Sequence, residues 1–292
     1  MFDLYFAGVT SDDCGVEKYL YSQYNDRPTI RKLYETLKKP VTKLFLDSGA
    51  YTAFTKNVSI DIGEYIDYVN SNIDAITVCA PVDVIPKGVE DSRIAAEQSW
   101  NNFLYMRKRI VAPEKLIAVY HQSEPIENLH KILDYSDEYG KITYMGIGAL
   151  ANTRDKDTRM RFIDSCFHEI MKLRSDMKVH GFGMTDLSLL ELFPFYSADS
   201  TTWRMAAIMG EIITKWGRIV ISERRKGDSV YAVKTGIAFD ILNQYVQTFG
   251  YDLQELIDDA EKRARFNISY LLSWEKNYVC KWHNSVKSKK LF

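Results

Sequence analysis

Short apolar runs alternate with stretches of helical spacing along most of this chain, and that alternation limits the folds open to it more than any other feature. Strands are expected at Leu4–Gly8, Lys43–Asp47, Ala75–Cys79, Leu116–His121, Ile142–Gly148, Lys178–Gly183, Phe195–Asp199 and Arg218–Ser222. Between them the apolar residues return every three or four positions. One such stretch follows Asp61 and carries Ile62, Tyr65, Ile66 and Val69. Another runs from about Glu90 to Ile110 and stops before Ala112-Pro113, as helices do ahead of proline. A third opens at Ser123-Glu124-Pro125 and ends at Gly140, and a fourth spans about Asp157–Arg174. Shorter helices fit Thr185–Leu192 and Arg204–Trp216. Strands each followed by a helix predict an α/β fold, a (β/α)8 TIM barrel of roughly 250 residues.

The segment Ala238–Lys281 reads as two more helices broken near Gly250. No internal repeat, low-complexity tract or Pro/Gly-rich linker interrupts the 292 residues. One domain is therefore expected, with the barrel over about 1–235 and a C-terminal helical extension over about 236–292. No run approaches the ~18 apolar residues of a membrane span. The opening Met1-Phe2-Asp3-Leu4-Tyr5-Phe6-Ala7-Gly8 reads as a buried strand rather than a signal peptide. Cys14, Cys79, Cys166 and Cys280 stand singly, which argues against a zinc site or a disulfide framework and fits a reducing cytoplasm. A formal net charge of −1 makes no global case for a polyanion partner. Nucleic-acid binding would have to come from local basic patches: Arg154 to Arg161, Arg224-Arg225-Lys226, or Lys287, Lys289 and Lys290.

In a barrel of this kind the active site gathers at the C-terminal ends of the strands. Asp47, Asp83, His121-Gln122, Gly146 and Gly148, Gly181 and Gly183, and Asp199 all fall there. Asp47 and Asp199 are the most telling pair. Each ends an apolar or aromatic run and is followed by small hydroxyl residues, so each presents a charge at a sheet edge.

This set resembles the tRNA-guanine transglycosylase superfamily. The residues that carry the resemblance are Asp47-Ser48-Gly49-Ala50-Tyr51, Asp83, Gln122, Gly146-Ile147-Gly148-Ala149-Leu150, Gly181-Phe182-Gly183 and Asp199, over roughly residues 40–205. It looks closest to the shorter phage and bacterial DpdA-type branch, which places 7-deazaguanine bases in DNA. The resemblance implies that Asp199, counted after strand seven, is the nucleophile at C1′ and that Asp47 moves protons on the outgoing and incoming bases. It further implies that Ser48, Gly49, Asp83, Gln122, Gly148, Ala149 and Leu150 form the base pocket. His180 stands where the family has a hydrophobic residue under the base. The chain departs from the family at Ala50, Tyr51 and Ala149, which leaves the incoming base open. The zinc site of tRNA-acting members is also missing, since Cys280 and His283 are too few for tetrahedral coordination.

Exchange on one face of the sugar needs two displacements at C1′, hence one carboxylate to attack and another to handle protons. A base in a duplex must also be flipped out, and Arg154, Arg159 and Arg204 are the candidates to grip phosphates. The expected partners are DNA, or tRNA, and a free 7-deazaguanine-type base. No metal or other cofactor and no membrane are expected, and a homodimer is left open. Three readings stand beside the DNA enzyme: a queuine-type tRNA-guanine transglycosylase, a nucleosidase or glycoside hydrolase using the same acids, and a non-catalytic nucleic-acid-binding barrel.

Overall fold

The computed structural model describes residues 2–8, 14–26, 30, 41–86, 91–122, 124–148, 155–184, 186–222 and 237–282. Its centre is a curled sheet of eight parallel strands: β1 (Asp3–Ala7), β2 (Lys18–Ser22), β3 (Lys43–Asp47), β4 (Val78–Cys79), β5 (Ala118–His121), β6 (Tyr144–Gly148), β7 (Lys178–Gly181) and β8 (Ser197–Ser200). Their order across the sheet is β4-β3-β2-β1-β8-β7-β6-β5. First and last strands are thus neighbours, with Tyr5 opposite Asp199. The helices that follow the strands are α1 (Ala50–Thr55), α2 (Ile62–Ser71), α3 (Ser92–Arg107), α4 (Ile126–Asp134), α5 (Lys156–Leu173), α6 (Leu187–Leu192) and α7 (Thr202–Ile208).

The sheet is a half-barrel, not a continuously paired ring. Its two edges, β4 and β5, meet at one parallel bridge, Cys79 to Leu116, reinforced by Ile117 N donating to Cys79 O at 3.0 Å. The reason lies in the chain after β4. Val84 N donates to Ser99 Oγ at 2.8 Å, Asn102 Nδ2 to Val82 O at 2.8 Å, and Val82 N to Met106 Sδ at 3.4 Å. Backbone groups that could have extended a ladder to β5 are satisfied by α3 instead.

Alternation along the strands sorts side chains to two faces. Tyr5, Phe45, Val78, Ala80 and Ile117 form the inner cluster, with Leu20, Val119, Tyr144 and Phe182 against it. Leu4, Phe6, Tyr19, Tyr21, Leu44 and Leu46 face outward into the layer beneath the helices. In α4 the buried positions Leu129, Ile132 and Leu133 lie at helical spacing, each burial worth about 1.5–3 kcal/mol.

Two strand assignments differ from the sequence expectation. The second strand of the sheet is Lys18–Ser22, which was not anticipated. The expected Arg218–Ser222 strand is not part of this sheet: Gly217–Val220 (β10) pairs antiparallel with Glu211–Thr214 (β9). The expected helix Arg204–Trp216 accordingly stops at Ile208. Gly210, at φ 82°, turns the chain there, and a Cβ on it would lie 1.9 Å from Ser222 O. The helix expected to reach Gly140 ends at Asp134. A small hairpin follows, Ser136–Asp137 with Gly140–Lys141, and buried Arg107 binds its Asp137 from Nε at 2.7 Å. The C-terminal stretch holds three helices where two were expected: α8 (Phe239–Gln247), α9 (Leu253–Asp258) and α10 (Ala260–Lys276). With β9 and β10 they build a second apolar cluster around Ile212, Ile219, Leu242, Leu256 and Phe266. Asn267 ties this unit to the sheet layer, accepting from Ile213 N at 2.7 Å and donating to Trp203 O at 3.0 Å. No helix among the described residues is long and apolar enough to cross a membrane.

Candidate active site

The C-terminal ends of β3 and β8 each carry an acid on the inward face. Asp199 is nearly buried, with 8% exposure. Its Oδ1 accepts from Gly183 N at 2.8 Å and lies 3.2 Å from His180 Nε2. Two partners on one oxygen fix the carboxylate in place. Among the described residues no donor is paired with Oδ2.

Asp47 is half-buried and in a different state. Burial first, then the charge of Asp199 and to a lesser degree that of Asp83, push its carboxyl up to about 7 against the opposing Gly49 and Ser48 amides. Gly49 N reaches Asp47 Oδ2 at 2.9 Å. That turn needs glycine: φ is 80°, and a Cβ would lie 2.6 Å from Tyr24 Cβ. The Ser48 side chain turns away, its hydroxyl donating to Pro81 O at 2.9 Å. It ties the loop after β3 to the loop after β4. Tyr65 supports the same loop by donating to Ala80 O at 3.0 Å.

The third acid of the mouth is Asp83, whose Oδ2 lies 3.3 Å from His121 Nε2. His121 Nδ1 lies 2.6 Å from Glu124 Oε1. Burial would lower the imidazole's affinity for protons, but Asp83 and Glu124 outweigh it and push His121 up to about 10. An imidazolium is therefore held between two carboxylates. Gly148 makes room for it, since a Cβ there would sit 2.6 Å from His121 Cδ2. Gln122 follows β5 directly and is half-buried.

His180 does not lie open under a ligand. It is fully buried beside Phe45 and Phe182, at centroid separations of 4.4 and 4.6 Å, and its ring nitrogens face Asp199 and Ser197. Phe182, two residues further along the same inward face, is half-exposed and leans on Gly146, where a Cβ would meet its ring at 2.4 Å. Inward parity was readable from the sequence. Which of the two rings reached the mouth was not, because that depends on where β7 ends relative to its neighbours.

Arg204 is exposed on α7, just beyond Asp199. Arg159 is half-buried and lines a cavity of about 810 Å³ outside the sheet, with Lys156, Lys215, Arg218, Tyr245 and Trp274. Its Nε is buried without a hydrogen-bond partner among the described residues. Ala149, Leu150 and Arg154 lie outside the described residues, as do Arg224-Arg225-Lys226, Lys287, Lys289 and Lys290. Among the described residues no three His, Cys, Asp or Glu side chains are arranged to hold a metal ion. No family model matches this chain, and no curated protein matches it.

Proposed function

We propose that this chain is a base-exchanging pentosyltransferase of the DNA-guanine transglycosylase kind, replacing guanine in DNA by a 7-deazaguanine base. On this reading the half-barrel is a (β/α)8 TIM barrel parted along the seam between β4 and β5. The observation that carries the proposal is the pair of unlike carboxylates on the inward face at one end of the sheet. Asp199 is donor-held, and Asp47 is pushed to about 7 partly by the charge of Asp199 itself. Two acids in such unlike surroundings can divide nucleophile and acid/base work between them.

Asp199 Oδ2 attacks C1′ of the flipped nucleotide. The C1′–N9 bond breaks and Asp47, protonated, gives its proton to the departing guanine. The incoming base then binds, Asp47 takes the proton from its N9, and N9 displaces Asp199 from C1′. Two inversions leave the sugar's configuration unchanged. Asp83 and Gln122 are proposed to read the guanine edge, with Phe182 as the stacking surface in place of His180. Arg204 and Arg159, the latter in a cavity lined by both basic and acidic residues, are proposed to hold the polynucleotide's phosphates.

A covalent adduct tests the reading. Incubation with guanine-containing DNA, then denaturation, should leave a polynucleotide-linked band that is absent in Asp199→Asn. Labelled guanine should enter DNA in the wild type, and exchange should drop by at least about 10³-fold in the variant. Label entering tRNA alone would replace DNA as substrate. Release of free base without exchange would make the protein a hydrolase.

A further inference from the structure

Asp199 stands at the end of a chain of hydrogen bonds running down the inside of the sheet, buried from Ser197 onward and partly exposed at Tyr144. Tyr144 Oη on β6 lies 2.5 Å from Ser197 Oγ on β8. Ser197 Oγ lies 2.5 Å from His180 Nδ1 on β7, and His180 Nε2 lies 3.2 Å from Asp199 Oδ1. Tyr5, Phe45 and Phe182 pack around the imidazole, so it can neither rotate nor reach water.

The protons of this chain can be assigned. Burial raises the Tyr144 phenol above its ordinary value, so Tyr144 keeps its proton and is free to donate to Ser197. Burial lowers His180, against the opposing pull of Asp199, so the ring is neutral and carries one N–H. If that proton were on Nδ1, the bare Nε2 lone pair would face a carboxylate oxygen. With the proton on Nε2, Ser197 donates to Nδ1, and every polar atom of the chain has a partner.

We propose that His180 is the positioning residue for Asp199, a neutral imidazole locked as the Nε2–H form by Ser197 and Tyr144 and holding Oδ1 so that Oδ2 faces the sugar. This rests on the reading of Asp199 as nucleophile, and it assigns His180 a part that does not touch the base. The logic is that of an oriented imidazole in a catalytic triad, run in the opposite direction: the histidine orients the acid. With Gly183 N as second donor, the carboxylate is aimed before substrate arrives, and no reorganisation is needed as it attacks.

The test uses Ser197→Ala, which removes the donor to Nδ1 and leaves Asp199 and His180 in place. In ¹⁵N spectra of the full chain, the wild-type His180 should show a protonated Nε2 and a bare Nδ1, and the variant should lose that signature. In adduct formation, Ser197→Ala should lower kcat about 10–100-fold with KM for DNA within about twofold, and the acid limb of the pH–rate profile should move upward. Tyr144→Phe should cost less. His180→Gln, which can still donate to Oδ1, should recover part of what His180→Leu loses. Because a packing defect could also slow the enzyme, the pH limb and the glutamine rescue are the discriminating readouts. Wild-type His180 protonated on Nδ1, or a Ser197→Ala protein with normal kcat, would overturn the proposal. Should the wild type form no adduct at all, the transglycosylase reading falls, and the spectra still decide the hydrogen-bond chain.

Discussion

The two ends of the curled sheet are built from the same materials and handled in opposite ways. At the N-terminal end, the buried Asp3 meets Lys18 at 2.9 Å and Lys43 at 2.5 Å, and Lys18 also reaches Glu275 at 2.7 Å. Glu275 further accepts from Leu4 N at 2.5 Å. Two acids face two lysines, and the charges cancel. At the C-terminal end Asp47, Asp83 and Asp199 converge on one mouth, and His121, which faces Asp83, is shared with Glu124. One end spends its polar groups on closing the molecule. The other leaves acids mutually repelling, at a cost in stability that marks this mouth as the candidate site.

The sharpest way to break this contrast is Asp47→Asn. On the proposed reading, turnover should fall by at least about 10²-fold in base-exchange assays, since asparagine has no proton to give. Stability should move the other way. In the wild type, Asp47 rises from an ordinary 3.8 to about 7 on folding. Between those values the folded state holds a proton that the unfolded state has released, so unfolding free energy falls as pH climbs from about 4 to 7. Asparagine removes that slope. Chemical denaturation at pH 8 should show the variant more stable by roughly 1–3 kcal/mol, and near pH 4 the two proteins should coincide. A variant less stable at pH 8 would mean that the mouth is not electrostatically strained.

Asp3→Asn probes the quiet end. Removing the acid leaves Lys18 and Lys43 facing each other, at a cost of about 2 kcal/mol. The usual penalty is discounted here because the lysines keep 20% and 32% exposure. Thermal melts near neutral pH should show this. Base exchange per folded molecule should be unchanged, and a fall in kcat there would erase the division between the two ends.

How much of this was legible in the sequence follows from what is local. Asp47 and Asp199 could be found because a strand that stops on an acid leaves a short-range mark, and the helix after Asp61 is marked as plainly, whereas Asp186, expected inside a Thr185–Leu192 helix, is its cap. The strand Lys18–Ser22 is less legible than Lys43–Asp47 because Lys-Tyr-Leu-Tyr-Ser has no apolar run like Leu-Phe-Leu, and it likewise places a lysine inward. Only Asp3 and Glu275, distant in sequence, make that tolerable. The β9–β10 hairpin was misread because Ile212 and Ile213 fit a helical face. Gly210 was the missed stop signal. His180 was readable as an inward residue, but its bond to Asp199 depends on the register that sets it opposite Ser197.

Gly148→Ala is the finest cut, because it disturbs one contact of the mouth and no charge. The new Cβ would lie 2.6 Å from His121 Cδ2 and 3.0 Å from Nε2, so the ring must swing off Asp83. His121 rises from an ordinary 6.5 to about 10 through that carboxylate and Glu124. Its contribution to stability is therefore complete below about pH 6.5 and drains away between 6.5 and 10. That window lies above the one governed by Asp47, so the two groups can be separated in a single pH series. In the variant His121 should titrate lower by NMR, and the loss of stability between pH 7 and 10 should flatten. KM for exchange should rise several-fold as Asp83 loses its fixed partner, with kcat less affected. If His121 titrates as before while KM rises, the glycine serves the ligand's fit directly and the imidazolium is not what sets Asp83 in place.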